Sequence, residues 1–160
     1  MRDGCRRLVG RSGLLLLLLP IPTAAVAREN LGVYGRWAAF RDTRPPRCYA
    51  ISEPLRTAPK GARWRPFASV AHWPSKARGQ VHIRLREARP AGARLSLRIG
   101  RARFPLVAGG ADAWAPDPRT DSAIVAAMRS AERMSVERDT YQLRGAATAI
   151  DAAMLGCVRR

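Results

Sequence analysis

The patterned part of the chain opens with two short apolar runs, Trp37–Phe40 and Cys48–Ile51. Between them lies Asp42-Thr43-Arg44-Pro45-Pro46, whose prolines fix φ and withhold ladder donors, so the pair predicts a β-hairpin. In the returning arm, Arg47–Glu53, the residues Cys48, Ala50 and Ser52 fall on one face and Tyr49 and Ile51 on the other, and Pro54 ends it. Arg28–Gly35, ahead of the hairpin, reads as a lead-in, and Leu55–Pro66, broken by Pro59, Gly61 and Pro66, as a basic loop.

Period-two alternation then recurs. Phe67, Ser69, Ala71 and Trp73 alternate with Ala68, Val70 and His72, which predicts a strand ending at Pro74. Ser75–Arg78 reads as a turn. In Gly79–Arg86 the apolar Val81, Ile83 and Leu85 oppose Gln80, His82 and Arg84, and Pro90-Ala91-Gly92 predicts a further turn. Leu95, Leu97 and Ile99 alternate with Arg94, Ser96 and Arg98, so one face is buried and the other wet. Gly100-Arg101 suits a tight hairpin turn, after which Arg103–Val107 returns with Phe104 and Leu106. Ala108–Pro118 reads as a glycine- and proline-bearing loop.

From Asp121 the period lengthens. Ile124, Val125 and Met128 predict a short helix over Asp121–Ala131, with Thr120 or Asp121 as its cap. Met134, Val136 and Arg138 read as a strand, Arg138-Asp139-Thr140 as a turn and Tyr141–Leu143 as its return. In the closing segment Gly145–Cys157, the positions Ile150, Met154 and Cys157 share one helical face, which would turn the cysteine inward. About eight short strands and two short helices late in the chain predict a mainly β domain, an antiparallel β-sandwich or a partly open barrel.

Composition changes this picture at the front. Arg2, Arg6, Arg7 and Arg11 precede an apolar run over Leu14–Ile21, and Ala25-Val26-Ala27 offers small residues at the spacing a signal peptidase accepts. Residues 1–27 therefore read as a secretory signal peptide, cleaved after Ala27, since the run is under half the ~20 residues of a spanning helix. The expected product is a single β-rich domain, 28–160, periplasmic or associated with the outer envelope. Four arginines and one aspartate of the leader hold three of the seventeen net positive charges, which leaves the domain at +14. Such a charge attracts polyanions: lipopolysaccharide, anionic lipid, an acidic glycan or nucleic acid. The arginines are scattered rather than gathered in one block, so the charge reads first as compositional, spread over a solvated surface, and nucleic acid is not the expected partner.

Cys5 leaves with the leader. Cys48 and Cys157 remain in an oxidising compartment, and two cysteines there predict a disulfide. A zinc site would need further ligands, and a catalytic thiol needs a partner that the sequence does not place.

Candidate chemistry is otherwise sparse. His72 and His82 fall in consecutive strands and could lie side by side, though each position reads equally well as the wet face; a metal site there would want a third ligand, and no Gly-x-Ser-x-Gly elbow accompanies them. Asp112, Asp117 and Asp121 could offer oxygen ligands to calcium, but their spacing does not match the twelve-residue calcium loop and a helix cap is the better use of Asp121. No metal or cofactor is expected. Of the four tryptophans, Trp37 and Trp73 read as sheet packing, while Trp64, between Arg63 and Arg65, reads as exposed and able to stack on a sugar or enter a headgroup layer.

Three motifs, Tyr34-Gly35-x-Trp37, Arg47-Cys48-Tyr49 before Ser52-x-Pro54, and Leu143-x-Gly145 leading into an alanine-rich segment, resemble the invasion-associated locus B family of exported bacterial proteins. The resemblance implies a β-rich, disulfide-bearing domain exported by Gram-negative bacteria, with host-cell entry as the role of founding members and no catalytic residues to transfer. Members commonly carry a cysteine four residues after the opening tryptophan, where this chain has Arg41, so the Cys48–Cys157 pairing rests on the cysteine count. The resulting expectation is a non-enzymatic envelope protein that holds an anionic or glycan surface through Arg63, Trp64 and Arg65. The rivals are a hydrolase using a histidine and an accessory protein that offers a sheet edge to an envelope partner.

Overall fold

In the computed structural model the described residues are 28–158, apart from 57, 59 and 75–77. The expected leader over residues 1–27 and most of the Ser75–Arg78 turn lie outside the described residues.

The predicted hairpin is present as β2 (Trp37–Thr43) and β3 (Pro46–Ser52), paired in register from Trp37 opposite Ser52 to Thr43 opposite Pro46. The lead-in is itself a strand, β1 (Arg28–Tyr34), paired antiparallel with β2. It is held from the side as well: the buried carboxylate of Asp42 accepts from Arg28 Nε at 3.0 Å and from Arg47 Nε at 2.9 Å, which ties β1 to β3 across β2. Burial alone would raise the Asp42 pKa, but the two guanidinium bonds outweigh it and hold the carboxyl below its ordinary value.

β4 (Phe67–His72) follows as predicted, and then β5 runs unbroken over Arg78–Ile99 where two strands and a turn were expected. The chain passes Pro90-Ala91-Gly92 without turning back, because the pairing register shifts between Arg84 and Arg89 and again between Arg89 and Ala93. At such bulges a proline withholds no needed donor, and Gly92, at φ +79°, takes a conformation that other residues resist. Its partner β6 (Ala102–Trp114) extends through most of the expected Ala108–Pro118 loop. β7 (Arg133–Val136) and β8 (Asp139–Gln142) complete one antiparallel sheet of eight strands in the order β1-β2-β3-β4-β5-β7-β8, with β6 on the other edge of β5.

The ladder therefore does not divide the strands into two separate sheets. It curls instead, since β4 and β7 take successive stretches of the same edge of β5, and β8 comes back against the β2–β3 end. There the Trp37 indole donates to the Gln142 carbonyl at 2.8 Å and the Leu55 amide to the Thr140 carbonyl at 2.8 Å.

Two helices lie in the C-terminal part, as expected, with shifted ends. α1 (Pro118–Ser130) starts earlier because Asp117, not Thr120 or Asp121, is its N-cap: the Asp117 carboxylate accepts the Thr120 amide at 2.8 Å, and Pro118 occupies the first turn. α2 (Ala146–Val158) packs across β1, β2, β3 and β4. Its buried face is Ala146, Ala149, Ile150 and Ala153, while Met154 stands 36% exposed. Small residues along that face let the helix lie close to the strands, close enough that Cys157 and Cys48 on β3 form the expected disulfide, with Cα atoms 5.7 Å apart. A single core results, built around Trp37, Ile83, Leu97, Leu106, Ile124 and Tyr141.

Candidate functional site

The residues on either side of the Trp64 loop are positioned by β5 and the β7–β8 turn. The loop leaves β3 through Leu55, whose amide is fixed to β8, and the Arg86 guanidinium on β5 donates both to the Arg56 carbonyl and to the buried Asp139 carboxylate, the latter at 2.7 Å. This creates a cleft of about 390 Å³ lined by Arg56, Arg63, Trp64, Arg86, Glu87 and Arg138, with Ala58 and Ala62 at its side. The Arg63 guanidinium carbon stands 4.8 Å from the centre of the Trp64 ring, within cation–π range. Trp64 is thus half-buried rather than exposed; the most exposed tryptophan is Trp114, at 37%. Arg65 points elsewhere, toward Glu53 at 3.6 Å, and it borders a smaller recess with Pro54 and Pro66. Of the expected trio, Arg63 and Trp64 share the cleft and Arg65 does not.

Among the described residues that line the cleft Glu87 is the single carboxylate, and it faces Arg138 at 3.4 Å. Arg86 is already committed to Asp139, so Arg56 and Arg63 are the guanidinium groups with no carboxylate of their own among the described residues. An aromatic face with guanidinium groups beside it can stack against a sugar ring and pair with an acid group carried on it.

The two histidines are not neighbours. The register sets Ser69 opposite His82, so His72 lies on the opposite face of the sheet, where it is 6% exposed and its Nδ1 accepts the Gly79 amide at 3.2 Å. The reading of His72 as wet is corrected by α2, which covers that face of β4. His82 is half-buried: its ring stacks on Trp114 at 5.3 Å, meets Phe67 edge-on at 5.2 Å, and its Nε2 lies 2.7 Å from Asp112 Oδ1. Arg84 Nε contacts the same carboxylate oxygen at 2.6 Å. Burial lowers the His82 pKa and the Asp112 contact only partly restores it, so the neutral ring is favoured.

A histidine paired with a carboxylate is the feature a hydrolase would need, and sequence reading missed it because Asp112 was assigned to a loop. The signal was available in the alternation of Ala111 and Ala113 with Asp112 and Trp114. The neighbouring Ser69 hydroxyl donates to the His82 carbonyl, not to its ring.

The three aspartates considered for calcium serve separate ends: Asp112 holds His82 and Arg84, Asp117 caps α1, and Asp121 accepts the Val81 amide at 2.8 Å. Burial raises the Asp121 pKa, which the Val81 amide offsets in part. No group of three or more possible metal ligands is found among the described residues.

Two of the family-like motifs meet at one structural junction: Tyr34, Gly35 and Trp37 lie against Gln142 and Gly145, where the Ser52 hydroxyl also donates to the Arg36 carbonyl at 2.8 Å. Arg47-Cys48-Tyr49 lies at the other end of β3, where Cys48 is bonded to Cys157 and Arg47 meets Asp42. Comparison with protein-family models, curated proteins and solved structures gives no match.

Proposed function

We propose that this chain is an exported, non-enzymatic envelope domain of the invasion-associated locus B type, which binds an acidic glycan of the envelope or of a host surface in the Trp64 cleft. The supporting observation is the cleft itself: an indole face with Arg63 stacked on it, Arg56 beside it and one carboxylate, Glu87, in its lining. The disulfide is consistent with export to an oxidising compartment, and periplasmic or outer-envelope residence follows from the leader expected over residues 1–27.

Ring stacking would orient the sugar, while Arg56 and Arg63 would pair with its carboxylate or phosphate groups. The test is calorimetric titration of the purified chain with lipopolysaccharide sugars freed of their acyl chains. Binding should weaken as salt rises from 0.05 to 0.5 M, and Trp64→Ala should lower affinity about tenfold, the upper part of the range for an aromatic platform. Binding that is indifferent both to salt and to Trp64→Ala would dismiss the cleft.

The His82–Asp112 contact favours a second reading, a hydrolase, but with Ser69 turned to a backbone carbonyl that reading lacks its attacking group. Loss of ester or amide cleavage on His82→Gln would be its signature.

A further inference from the structure

The arginines are not evenly scattered. Around the body of the domain Arg28, Arg47, Arg84, Arg86, Arg89 and Arg129 each meet a carboxylate. At the far end of the β5–β6 hairpin the pattern stops. Arg94 and Arg98 on β5, Arg101 in the turn, Arg103 on β6 and Arg133 on β7 are all exposed, and none of their side chains makes an ion pair or hydrogen bond with a described residue.

The register shows that Arg94, Arg98, Arg103 and Arg133 share a face, with Arg101 in the turn at its end. Arg98 lies directly opposite Arg103 on one side and opposite Ser135 on the other, while Arg94 lies opposite Val107 and Ser96 opposite Pro105. The other face of the same strands carries the buried Leu97, Ile99 and Leu106. Like charges directly across a ladder are destabilising, and neither Arg98 nor Arg103 makes an ion pair with a described carboxylate. Beside them a shallow depression of about 590 Å³ is lined by Arg98, Arg133, Ser135 and Thr140, together with Glu132, which makes no ion pair with a described residue. Two guanidinium groups against one carboxylate, with hydroxyl donors between them, leave a surface complementary to phosphate oxygens.

From this we infer that the distal β5–β6–β7 face docks on an anionic phospholipid bilayer, its five arginines engaging headgroup phosphates. Two features favour a bilayer over nucleic acid. The residues between the arginines on this face of the sheet are aliphatic or small: Val107, 37% exposed, Pro105 and Ser96. It presents no aromatic side chain on which a base could stack, since Phe104 packs into the core. Arginine with interspersed aliphatic contact is the composition that enters a headgroup layer. This site is separate from the Trp64 cleft and does not depend on it.

The test uses the chain expressed in full in a Gram-negative host and purified in the form the cell leaves, cosedimented with vesicles of neutral phosphatidylcholine or of phosphatidylcholine with 30% phosphatidylglycerol. Binding is expected to the second only, and to vanish in 0.5 M salt. Arg98→Ser with Arg103→Ser should lower partitioning about 25-fold, at roughly fivefold for each cation near an anionic surface. Arg94→Ser with Arg133→Ser should act similarly, both pairs melting at or above the temperature of the parent chain. Trp64→Ala should leave partitioning unchanged, so loss of the cleft and loss of this face are told apart. Equal binding to neutral vesicles, or unchanged partitioning in both arginine pairs, would overturn the inference. So would tighter, arginine-dependent binding to a single-stranded oligonucleotide, which would assign the face to nucleic acid.

Discussion

Removal of the Cys48–Cys157 bond, by reduction or by replacing both cysteines with alanine, is expected to lower the unfolding free energy by about 4–5 kcal/mol. The two residues are 109 apart in sequence, so the bond closes nearly the whole described chain into a loop and withdraws that freedom from the unfolded state. Against a total of about 5–15 kcal/mol for a domain of this size, the loss takes about a quarter or more of the stability. It is readable as a fall in the urea midpoint followed by fluorescence of the fully buried Trp37. The cross-link also determines where the loss appears. It joins β3 to α2, and α2 covers β1 to β4, so amides of that half should lose exchange protection ahead of those in the β5–β6 hairpin. A midpoint shift worth less than about 1 kcal/mol would show that non-covalent packing alone seats α2.

The second large effect belongs to Gly145. Its φ of +89° is one that a side chain resists, and a Cβ built there would lie 2.0 Å from the Tyr34 carbonyl oxygen and 2.6 Å from its carbon. Both obstacles are backbone, and neither can swing aside. Gly145→Ala should therefore cost about 2–5 kcal/mol, adding conformational strain to overpacking. Gly92→Ala is the matched control: its φ is +79° but no atom lies within 4 Å, so only the strain of about 1 kcal/mol remains. Equal melting temperatures for the two variants would remove the close approach of Gly145 to Tyr34 as a structural determinant.

These two sites also mark what could be read from the sequence. The β2–β3 hairpin, the β7–β8 pair, both helices and the disulfide follow from alternation, turn residues and cysteine count, which are local or covalent signals. β1 was missed because only backbone pairing makes it a strand. Its side chains do not alternate in burial, and Gly32 lies at a shift in its register. The continuity of β5 through Pro90-Ala91-Gly92, and of β6 through Gly109-Gly110, was missed for a related reason. The residues that mark turns are also those that bulges accept, and only the partner strand decides between the two uses.

The candidate sites follow the same division. Trp64 and its flanking arginines were visible as a motif, but the cleft around them is completed by Arg86, Glu87 and Arg138 from distant strands. The His82–Asp112 pair required β6 to be extended to Trp114. The sorting of arginines into paired and bare groups depends wholly on which carboxylates the fold brings near, so composition could give the sign of the charge but not its distribution.

The central claim is that this is an exported domain that works in its oxidised form. The most direct measurement expresses the full chain in a Gram-negative cell, separates periplasm from cytoplasm, and treats each fraction with a thiol-reactive polymer before and after reduction, with sequencing of the first residues. The account predicts periplasmic protein beginning at Arg28 whose two cysteines react only after reduction. Cytoplasmic protein with residues 1–27 still attached and both thiols free at the outset would contradict it.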